Sequence, residues 1–501
     1  MSEAVANLQN YVGRILRLGQ VGSIIGWDQQ TYMPAGAAVA RAEQMAALSE
    51  TLHEMTTADA CAKLLEAAER DLVDMDADSD EARSVKNFRR QFDQSTKLPS
   101  ALVAELSRQQ ALGQEAWLRA RATNDYPSFA PIMERIFDLT RQKAEFLGYA
   151  EHVYDALLDE YEYGVTHSDI ARLFEDMKPK AVALTHAIAK SKKPVDSSPL
   201  FGDFPIDRQR ELTLKMVQLV GFDMHYGRQD EAPHPFCSNA SKYDVRLTTR
   251  FDPKYLGQAL YASLHEAGHG MYEQGSPDSF EGTVLAGGTS LGVHESQSRF
   301  WENLIGRSRA FCNFIFPQVK ATFPDVLGNY DAEAFYRAVN KVEPSFIRVE
   351  ADEVTYNIHI LIRFEIESDL LTGKLAFKDV PEAWNAKMQA YLGITPRNDA
   401  EGCLQDVHWS EGLIGYFPTY TLGNLLSCQL LHAMKKEEPN LDAQFESGDF
   451  SFPLQWLRKN VHAYGAKFLP GELVMKATGE APSSGYYVDY LNTKFGDIYG
   501  L

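Results

Sequence analysis

The chain is constrained above all by the segment Phe251–Gly275, which carries the signals of one long helix. Asp252 is a favourable N-cap, and Pro253 suits the first helical position because its ring presets the backbone. The glycine at the far end, Gly275, is typical of a C-terminal stop. The segment is therefore predicted to form a single helix of about 22 residues, roughly 33 Å long.

Two histidines, His265 and His269, lie four residues apart on this helix. Residues at that spacing share one face, so both imidazoles can hold the same metal ion. Glu266 follows the first histidine and can serve as a general base toward a water at that ion. The arrangement is typical of zinc peptidases, and a pair of buried structural histidines is the alternative interpretation.

A metal held by two histidines needs a third protein ligand, whose place in the sequence distinguishes the peptidase classes. The metzincin pattern is excluded because Tyr272 and Gly275 stand where that class needs glycine and histidine. The other common solution is a carboxylate on a following helix. The acidic residues that follow the histidines are Glu273, Asp278, Glu281, Glu295 and Glu302.

Glu295 is the best placed of these acidic residues, because Thr289 or Ser290 can cap a new helix that carries it. Glu273 lies on the same helix as the histidines and cannot easily reach back to them. An ion pair between Glu295 and Arg299, one helical turn further on, is the alternative role. The buried side of the new helix is predicted to consist of Phe300, Leu304 and Ile305.

Composition is that of an ordinary globular protein, with 45% apolar and 24% charged residues in a chain of 501. No linker, repeat or low-complexity tract divides the chain. We therefore expect one large body over residues 1–501, with two lobes whose boundary cannot be read. Lys and Arg number 49 against 69 Asp and Glu, a formal charge of −20. Such a surface repels nucleic acid and anionic membranes, so neither is expected as a partner.

The cysteines and the N-terminus both bear on the compartment. The cysteines are odd in number and lack C-x-x-C spacing, which indicates a reducing compartment and argues against a cysteine metal site. The N-terminus lacks the apolar core of a signal peptide, and no apolar run reaches about 18 residues. A cytoplasmic location is therefore predicted. The five cysteines are Cys61, Cys237, Cys312, Cys403 and Cys428.

The remaining periodicity predicts a mainly α protein with one small sheet. Helical patterns extend from the N-terminus to about Lys192. Residues 241–251 alternate apolar and polar side chains, which predicts a half-buried strand at the edge of a small sheet. Such a strand could pair with an extended peptide, and a salt-bridged surface strand is the alternative. A further long helix is predicted to begin near Pro344, with a polar stripe that runs from Arg348 to His359.

The segment Gly288–Gly292 matches the G-x-S-x-G pattern of serine hydrolases, which is the main rival chemistry. That motif requires alternating strands and helices around a parallel sheet, whereas this chain shows long helices. A loop that leads into the helix of Glu295 fits the sequence better.

Eight residue groups, in order across nearly the whole chain, together resemble one family, the M32 (carboxypeptidase Taq) metallocarboxypeptidases. No departure from the family pattern occurs at the metal-site positions. The groups are WDQQTYMP at 27–34, HPF at 234–236, DVRLT at 244–248, HEAGH at 265–269, HESQSR at 294–299, IRVEADEVTY at 347–356, GCLQDVHW at 402–409 and GYFPTYTLGN at 415–424.

The resemblance implies a mainly α fold with a deep central groove and a small β-sheet beside the active site, as in neurolysin and angiotensin-converting enzyme. It also implies a single peptidase domain over 1–501 that acts as a homodimeric cytoplasmic carboxypeptidase on peptides. One divalent metal per chain is expected, Zn²⁺ with Co²⁺ as the alternative. Glu295 becomes the expected third ligand. A metallo-endopeptidase with the same metal core, or a non-catalytic helical binding protein, is the rival interpretation.

The resemblance also nominates residues outside the metal site. His408 and Tyr420 are expected to stabilise the oxyanion, with Tyr416 as a weaker choice and core packing as their alternative role. Arg348 is expected to hold the C-terminal carboxylate of the substrate, because a planar guanidinium can bind both oxygens. An i,i+4 pair with Asp352 is the alternative for that arginine. Two further substrate-binding candidates are Arg246, on the polar face of the predicted strand, and His234.

Overall fold

The computed structural model describes residues 2–501, which form a mainly helical protein with one three-stranded sheet. This architecture confirms the fold class expected from the sequence. In chain order the helices are α1 (Glu3–Thr31), α2 (Ala38–Thr57), α3 (Asp59–Asp71), α4 (Asp80–Lys97), α5 (Ser100–Thr123), α6 (Tyr126–Leu147), α7 (Val153–Leu158), α8 (His167–Ala189), α9 (Ile206–Leu219), α10 (Leu256–Gln274), α11 (Leu291–Arg299), α12 (Arg309–Thr322), α13 (Pro324–Leu327), α14 (Ala332–Val339), α15 (Tyr356–Leu371), α16 (Val380–Leu392), α17 (Pro418–Glu437), α18 (Leu441–Ser447), α19 (Ser451–Asn460), α20 (Pro470–Thr478) and α21 (Gly485–Tyr499). None of the helices within residues 2–501 is both long and apolar enough to cross a membrane.

The chain divides into two compact units, each built from three separate segments. Unit 1 consists of the residues up to Thr96, Ser197–Val339 and Leu430–Glu480. Unit 2 consists of Lys97–Asp196, Asn340–Gln429 and Ala481–Leu501. Because the chain passes between the units without a linker of distinctive composition, their boundary could not be read from the sequence.

The sheet lies in unit 1 and contains β1 (Gly227–Glu231), β2 (Cys237–Ser241) and β3 (Asp244–Thr249) in the order β1-β3-β2. β3 runs parallel to β1 and antiparallel to β2. The predicted edge position of β3 is therefore wrong, because β3 has a partner on each side. Its apolar face is buried as expected at Val245 and Leu247. Thr248, on the predicted polar face, is also buried, since it exchanges hydrogen bonds with the backbone of Phe236.

Helix α10 begins at Leu256, so the predicted start at Asp252 is wrong. The carboxylate of Asp252 instead accepts a hydrogen bond from the backbone N–H of Lys254, 2.7 Å away, in a turn that precedes the helix. The C-terminal boundary agrees with the prediction, since Gly275 is the C-cap residue.

The helix predicted for Glu295 is present as α11. Ser290 is its N-cap, and the Ser290 hydroxyl accepts a hydrogen bond from the backbone N–H of Val293 at 3.2 Å. The serine of the G-x-S-x-G pattern therefore caps a helix, and no parallel-sheet scaffold for a nucleophile elbow surrounds it within residues 2–501. A π-helical segment, Phe300–Ile305, continues α11 and buries the predicted stripe of Phe300, Leu304 and Ile305.

The helix predicted from Pro344 begins only at Tyr356, as α15. Arg348 lies in a short 3₁₀ turn, Arg348–Glu350. The carboxylate of Asp352 accepts backbone hydrogen bonds from Val354 and Thr355, and this local bonding competes with a helix across the segment. The predicted polar stripe from Arg348 to His359 is therefore not a helical face.

Candidate metal centre

Two histidines of α10 and one glutamate of α11 converge in unit 1. The ligand atoms of His265, His269 and Glu295 all lie within 4.8 Å of one another, and no other such group occurs in residues 2–501. Glu295 Oε2 is 3.6 Å from His265 Nε2 and 3.5 Å from His269 Nε2. Tetrahedral ligands at about 2.0–2.2 Å from one ion stand about 3.4 Å apart. The spacing and the His₂Glu donor set therefore fit a divalent metal.

A glycine allows the two ligand-bearing helices to approach this closely. A Cβ built on Gly268 of α10 would stand 2.5 Å from the carbonyl oxygen of Gln297 and 2.6 Å from Cα of Ser298, both on α11. Side chains larger than hydrogen do not fit against a neighbouring backbone at that distance. Gly268 thus brings the glutamate of α11 to the histidines of α10.

The contacts of Glu295 are compatible with both of the roles considered for it. Its Oε1 atom accepts a hydrogen bond from Arg299 Nε at 2.6 Å, while Oε2 faces the histidines and accepts a bond from Ser298 Oγ at 3.1 Å. Burial raises the pKa of Glu295, but Arg299 and the two histidines outweigh burial and hold that pKa well below its ordinary value. Glu295 is therefore an anionic carboxylate that is held in place by its ion pair with Arg299.

A second carboxylate lies behind His265. Glu302 Oε2 is 2.8 Å from His265 Nδ1, on the side of the ring that faces away from the ligand cluster. Arg299 and Arg307 each donate to Glu302 at 3.2 Å. Burial raises the pKa of Glu302, yet Arg299, His265 and Arg307 lower it to about 2. The charged Glu302 thus orients His265, as expected for a carboxylate behind a metal ligand.

A longer arrangement lies behind His269. Its Nδ1 atom is 2.7 Å from Nδ1 of His294, whose Nε2 atom is 2.6 Å from Glu273 Oε1. Asn239 Nδ2 of β2 donates to Glu273 Oε2 at 2.7 Å. His294 and Asn239 were not predicted as parts of this site, and Glu273 and Glu302 were considered only as metal ligands. The position of His294 next to Glu295 was the available signal.

Glu266 is buried beside these groups, with 5% of its surface exposed. Burial raises its pKa to about 7; His265 opposes this shift, and Glu295 adds to it. A carboxyl group that titrates near neutral pH is suited to accept and return a proton. Burial also lowers the pKa of His269 to about 4, which keeps that imidazole neutral and able to bind a metal.

The side chains around the cluster carry more negative than positive charge. Two guanidinium groups, Arg299 and Arg307, contact the glutamates of the site. Only Glu295 and Glu302 contact these two groups, and two further carboxyl groups, those of Glu266 and Glu273, are buried nearby. Buried carboxylates require compensating positive charge, which a divalent cation would supply.

The candidates for substrate binding lie in both units. Arg246, on β3 of unit 1, donates two hydrogen bonds of 2.8 Å to Asp244 and lies 4.4 Å from the ring of Trp27. His234, which precedes β2, is exposed. The cluster of Arg348, His408, Tyr416 and Tyr420 belongs to unit 2.

Arg348 is buried and bound to Asp406, not to Asp352. Its Nε and Nη2 atoms donate to Asp406 Oδ1 at 3.0 and 2.8 Å, and Nη1 donates to Tyr356 at 3.1 Å. The i,i+4 pair with Asp352, the alternative role considered for Arg348, does not form, because residues 348–355 are not α-helical. Arg363 donates to the other oxygen of Asp406 at 2.7 Å. Neither Asp406 nor Arg363 was predicted from the sequence as a partner of Arg348.

Three ring side chains lie together near Arg348. His408 Nε2 is 3.4 Å from the hydroxyl oxygen of Tyr420, and the ring of Tyr416 is 5.5 Å from that of His408. The Arg348 guanidinium lies 5.1 Å from the ring of Tyr420. Burial lowers the pKa of His408 to about 4, Asp406 opposes the shift, and Arg348 adds to it. His408 is therefore a neutral hydrogen-bonding group.

The fold and the convergent His₂Glu donor set together define a helical metallopeptidase. The sequence matches the model of the carboxypeptidase Taq (M32) metallopeptidase family over residues 7–495. The chain belongs to this family, and the protein is a metal-dependent carboxypeptidase.

Relatives match the chain over nearly its whole length. It is 40% identical to thermostable carboxypeptidase 1 of Thermus thermophilus, covering 99% of both chains. It is 37% identical to carboxypeptidase 1 of Bacillus subtilis, covering 97% of both. The structure resembles that of the M32 carboxypeptidase from Deinococcus radiodurans R1, with a TM-score of 0.97 at 40% identity and full coverage of both chains. Metallocarboxypeptidase 1 of Trypanosoma cruzi gives a TM-score of 0.93 at 32% identity, with 98% of this chain and 99% of the other covered.

Proposed function

We propose that the protein removes C-terminal residues from peptides at a divalent ion held by His265, His269 and Glu295. The observation that carries this proposal is the convergence of three ligand atoms within 4.8 Å, each on a side chain that has an orienting partner. We further propose that residues 1–501 act as one peptidase domain.

The ion would supply Lewis acidity, which activates a water molecule and polarises the scissile carbonyl group. Glu266 accepts the proton of the attacking water and then donates it to the leaving amine. Its burial suits this role, because a carboxyl with a pKa near 7 can both take up and release a proton at neutral pH. During this proton transfer, Glu302 holds the imidazole of His265 in orientation and His294 holds that of His269.

His408 and Tyr420 are proposed to donate hydrogen bonds to the developing oxyanion, with Tyr416 as the weaker candidate. A neutral imidazole beside a phenol hydroxyl offers two donors without a large desolvation cost. The burial of these side chains also fits a packing role. Replacement of an oxyanion donor should lower kcat without a loss of stability, whereas replacement of a packing residue should lower stability.

Arg348 is proposed to bind the C-terminal carboxylate of the substrate. Two buried guanidiniums, Arg348 and Arg363, share the single carboxylate of Asp406, which leaves one positive charge for an incoming anion. Arg246 is less suited, since Asp244 already neutralises it one to one. His234 remains a proposed contact to the substrate at an exposed position.

Zn²⁺ is the proposed ion, and Co²⁺ is the alternative, because imidazole and carboxylate ligands accept both.

A cytoplasmic homodimer is proposed as well. All five cysteines are free, as expected in a reducing compartment. Large apolar side chains are exposed on α1 and between α1 and α2, at Val21, Ile24 and Tyr32, where a second copy could pack. Light scattering would measure the mass.

The decisive experiment compares a blocked peptide that has a free C-terminus with the same peptide as its amide, before and after chelation. We expect chelation to abolish cleavage of the free acid and a divalent ion to restore it. The amide should lose a factor of roughly 100 or more in kcat/KM, as expected when a buried charge-assisted pair is lost. Equal cleavage of acid and amide would indicate an endopeptidase with the same metal core.

A further inference from the structure

We propose that His294, Glu273 and Asn239 are positioning residues that hold the metal ligand His269 in one tautomer and one orientation. This inference rests on the proposed metal centre. The three residues form a continuous hydrogen-bonded chain from Nδ1 of His269 to β2, with contacts of 2.7, 2.6 and 2.7 Å. We refer to them as the His294 chain.

The direction of every hydrogen bond in the His294 chain follows from the chemistry of its members. A histidine that binds a metal through Nε2 carries its proton on Nδ1, so His269 must donate to Nδ1 of His294. His294 is then the acceptor at Nδ1, and its own proton lies on Nε2. That proton is donated to Glu273, whose other oxygen accepts from the amide of Asn239. With a metal on Nε2 of His269, these directions satisfy every hydrogen bond between the four side chains.

The two metal histidines are therefore supported differently. His265 has a carboxylate, Glu302, directly behind it at 2.8 Å. His269 has the imidazole of His294 behind it, and the carboxylate of Glu273 lies one residue further away. A carboxylate in direct contact raises the basicity of a ligand imidazole more than a second imidazole does. We infer that the His294 chain mainly fixes the geometry of His269.

The packing around the His294 chain leaves it little freedom. A Cβ built on Gly288 would stand 2.8 Å from Cδ2 of His294, and one built on Gly287 would stand 3.2 Å from Oε2 of Glu273. Gly287 also has a φ of +82°, which favours glycine. The loop before α11 thus packs tightly against the His294 chain. The three residues of the His294 chain come from α10, α11 and β2, so hydrogen bonds link three elements to Nδ1 of His269.

The test measures zinc affinity directly, by competition with a chromophoric chelator, on apoprotein titrated with zinc alone. His294→Phe keeps a planar ring but cannot accept the Nδ1 proton, and we expect zinc affinity to fall by roughly 10–100-fold. His294→Asn can present an amide oxygen near the position of Nδ1, and we expect it to recover part of the loss. The visible absorption of the cobalt-substituted protein should shift in His294→Phe and return toward the wild type in His294→Asn.

The order of effects along the His294 chain separates positioning from simple packing. Glu273→Gln should weaken zinc binding less than His294→Phe, and Asn239→Ala should weaken it least. The double variant His294→Phe/Glu273→Gln should bind zinc no worse than His294→Phe alone, because the chain is already interrupted. Additive losses in the double variant would contradict the proposal.

His462→Phe is the matched control, because His462 is also buried in unit 1 and contacts α11 through Gln297 at 3.0 Å, outside the chain. It should lower Tm and leave zinc affinity within about threefold. If His294→Phe bound zinc as tightly as the wild type, or if it lost affinity only in parallel with the control, the proposal would be overturned. If the wild-type protein itself bound no zinc or cobalt, the proposed metal centre would fail first.

Discussion

Replacement of Gly268 by alanine should disrupt the proposed metal site, because the added Cβ would push α10 and α11 apart. The new Cβ would stand 2.5 Å from the carbonyl oxygen of Gln297, 2.6 Å from Cα of Ser298 and 2.9 Å from the carbonyl carbon of Gln297. All three atoms are backbone, so no rotamer change relieves the contact. Ordinary contact requires about 3.5 Å, so α10 and α11 must separate locally by about 1 Å.

That displacement is large for a metal site. Glu295 lies two residues before Gln297 on α11 and would move with it, whereas metal–ligand distances tolerate only about 0.2 Å. Overpacking of this kind costs about 1–3 kcal/mol, and the better helix propensity of alanine offsets about 1 kcal/mol of it. We therefore expect Gly268→Ala to lower the stability of the apoprotein by about 0–2 kcal/mol. Zinc affinity should fall tenfold or more.

Chelator competition gives the zinc affinity, and thermal melts with and without zinc give the two stabilities. The matched control is Gly270→Ala on the same helix, whose Cβ would meet side-chain atoms of Phe222 and Leu247 at 2.6 and 2.8 Å. That variant should be destabilised similarly but keep its zinc affinity, because its strain falls on the sheet side of α10. Wild-type affinity in Gly268→Ala would refute the close-approach argument.

Four further predictions follow from the site and its surroundings. Glu266→Gln should retain about one ion per chain by elemental analysis while kcat falls by several orders of magnitude, since only the proton acceptor is lost; full activity would remove Glu266 from the mechanism. Glu295→Ala should empty the site, whereas Glu302→Ala should leave a detectable but weaker site; metal analysis giving the reverse order would exchange their roles. Arg348→Ala should strongly slow cleavage of the free-acid peptide and hardly affect the amide, and a uniform effect on both would point to a folding role. Glu367, whose pKa burial raises to about 7 against hydrogen bonds from Tyr154 and Trp409, contributes stability that is complete below its unfolded pKa of about 4.3 and is lost as the pH rises through 7. Between pH 4 and pH 8, the free energy of unfolding of Glu367→Gln should therefore rise relative to that of the wild type by on the order of 3 kcal/mol, as measured by denaturation at the two pH values. A difference that does not change with pH would exclude this titration.

The three proposed metal ligands could be nominated from the sequence because their spacing is local. His265 and His269 lie on one helix, and a glycine-rich loop followed by a helix-capping serine points to Glu295. The local sequence could not decide whether Glu295 binds a metal or pairs with Arg299. In the structure the two carboxylate oxygens of Glu295 have different partners, since Oε1 accepts from Arg299 and Oε2 accepts from Ser298.

What the sequence could not reveal depends on contacts between distant segments. The central position of β3 requires β1 as a second partner, and an alternating pattern is the same at an edge and in the centre when one face is polar. The start of α15 was missed because the Asp352 side chain bonds locally to backbone groups, which a periodic pattern does not register. Arg348 and Asp406 are separated by 58 residues, so no i,i+4 rule could pair them.

The three-segment construction of unit 1 has a consequence for biosynthesis. The loop that leads into α11 is held by the last segment, where Ala466 N–H donates to the Leu285 carbonyl at 2.9 Å and Phe468 accepts from Thr289. At about 5–20 residues per second, the ribosome needs roughly 10–40 s to extend the chain from Glu295 to Glu480. During that time both histidines and the glutamate exist without the segment that holds the loop before α11. We therefore expect the proposed metal site to be completed only after the last segment of unit 1 has been synthesised.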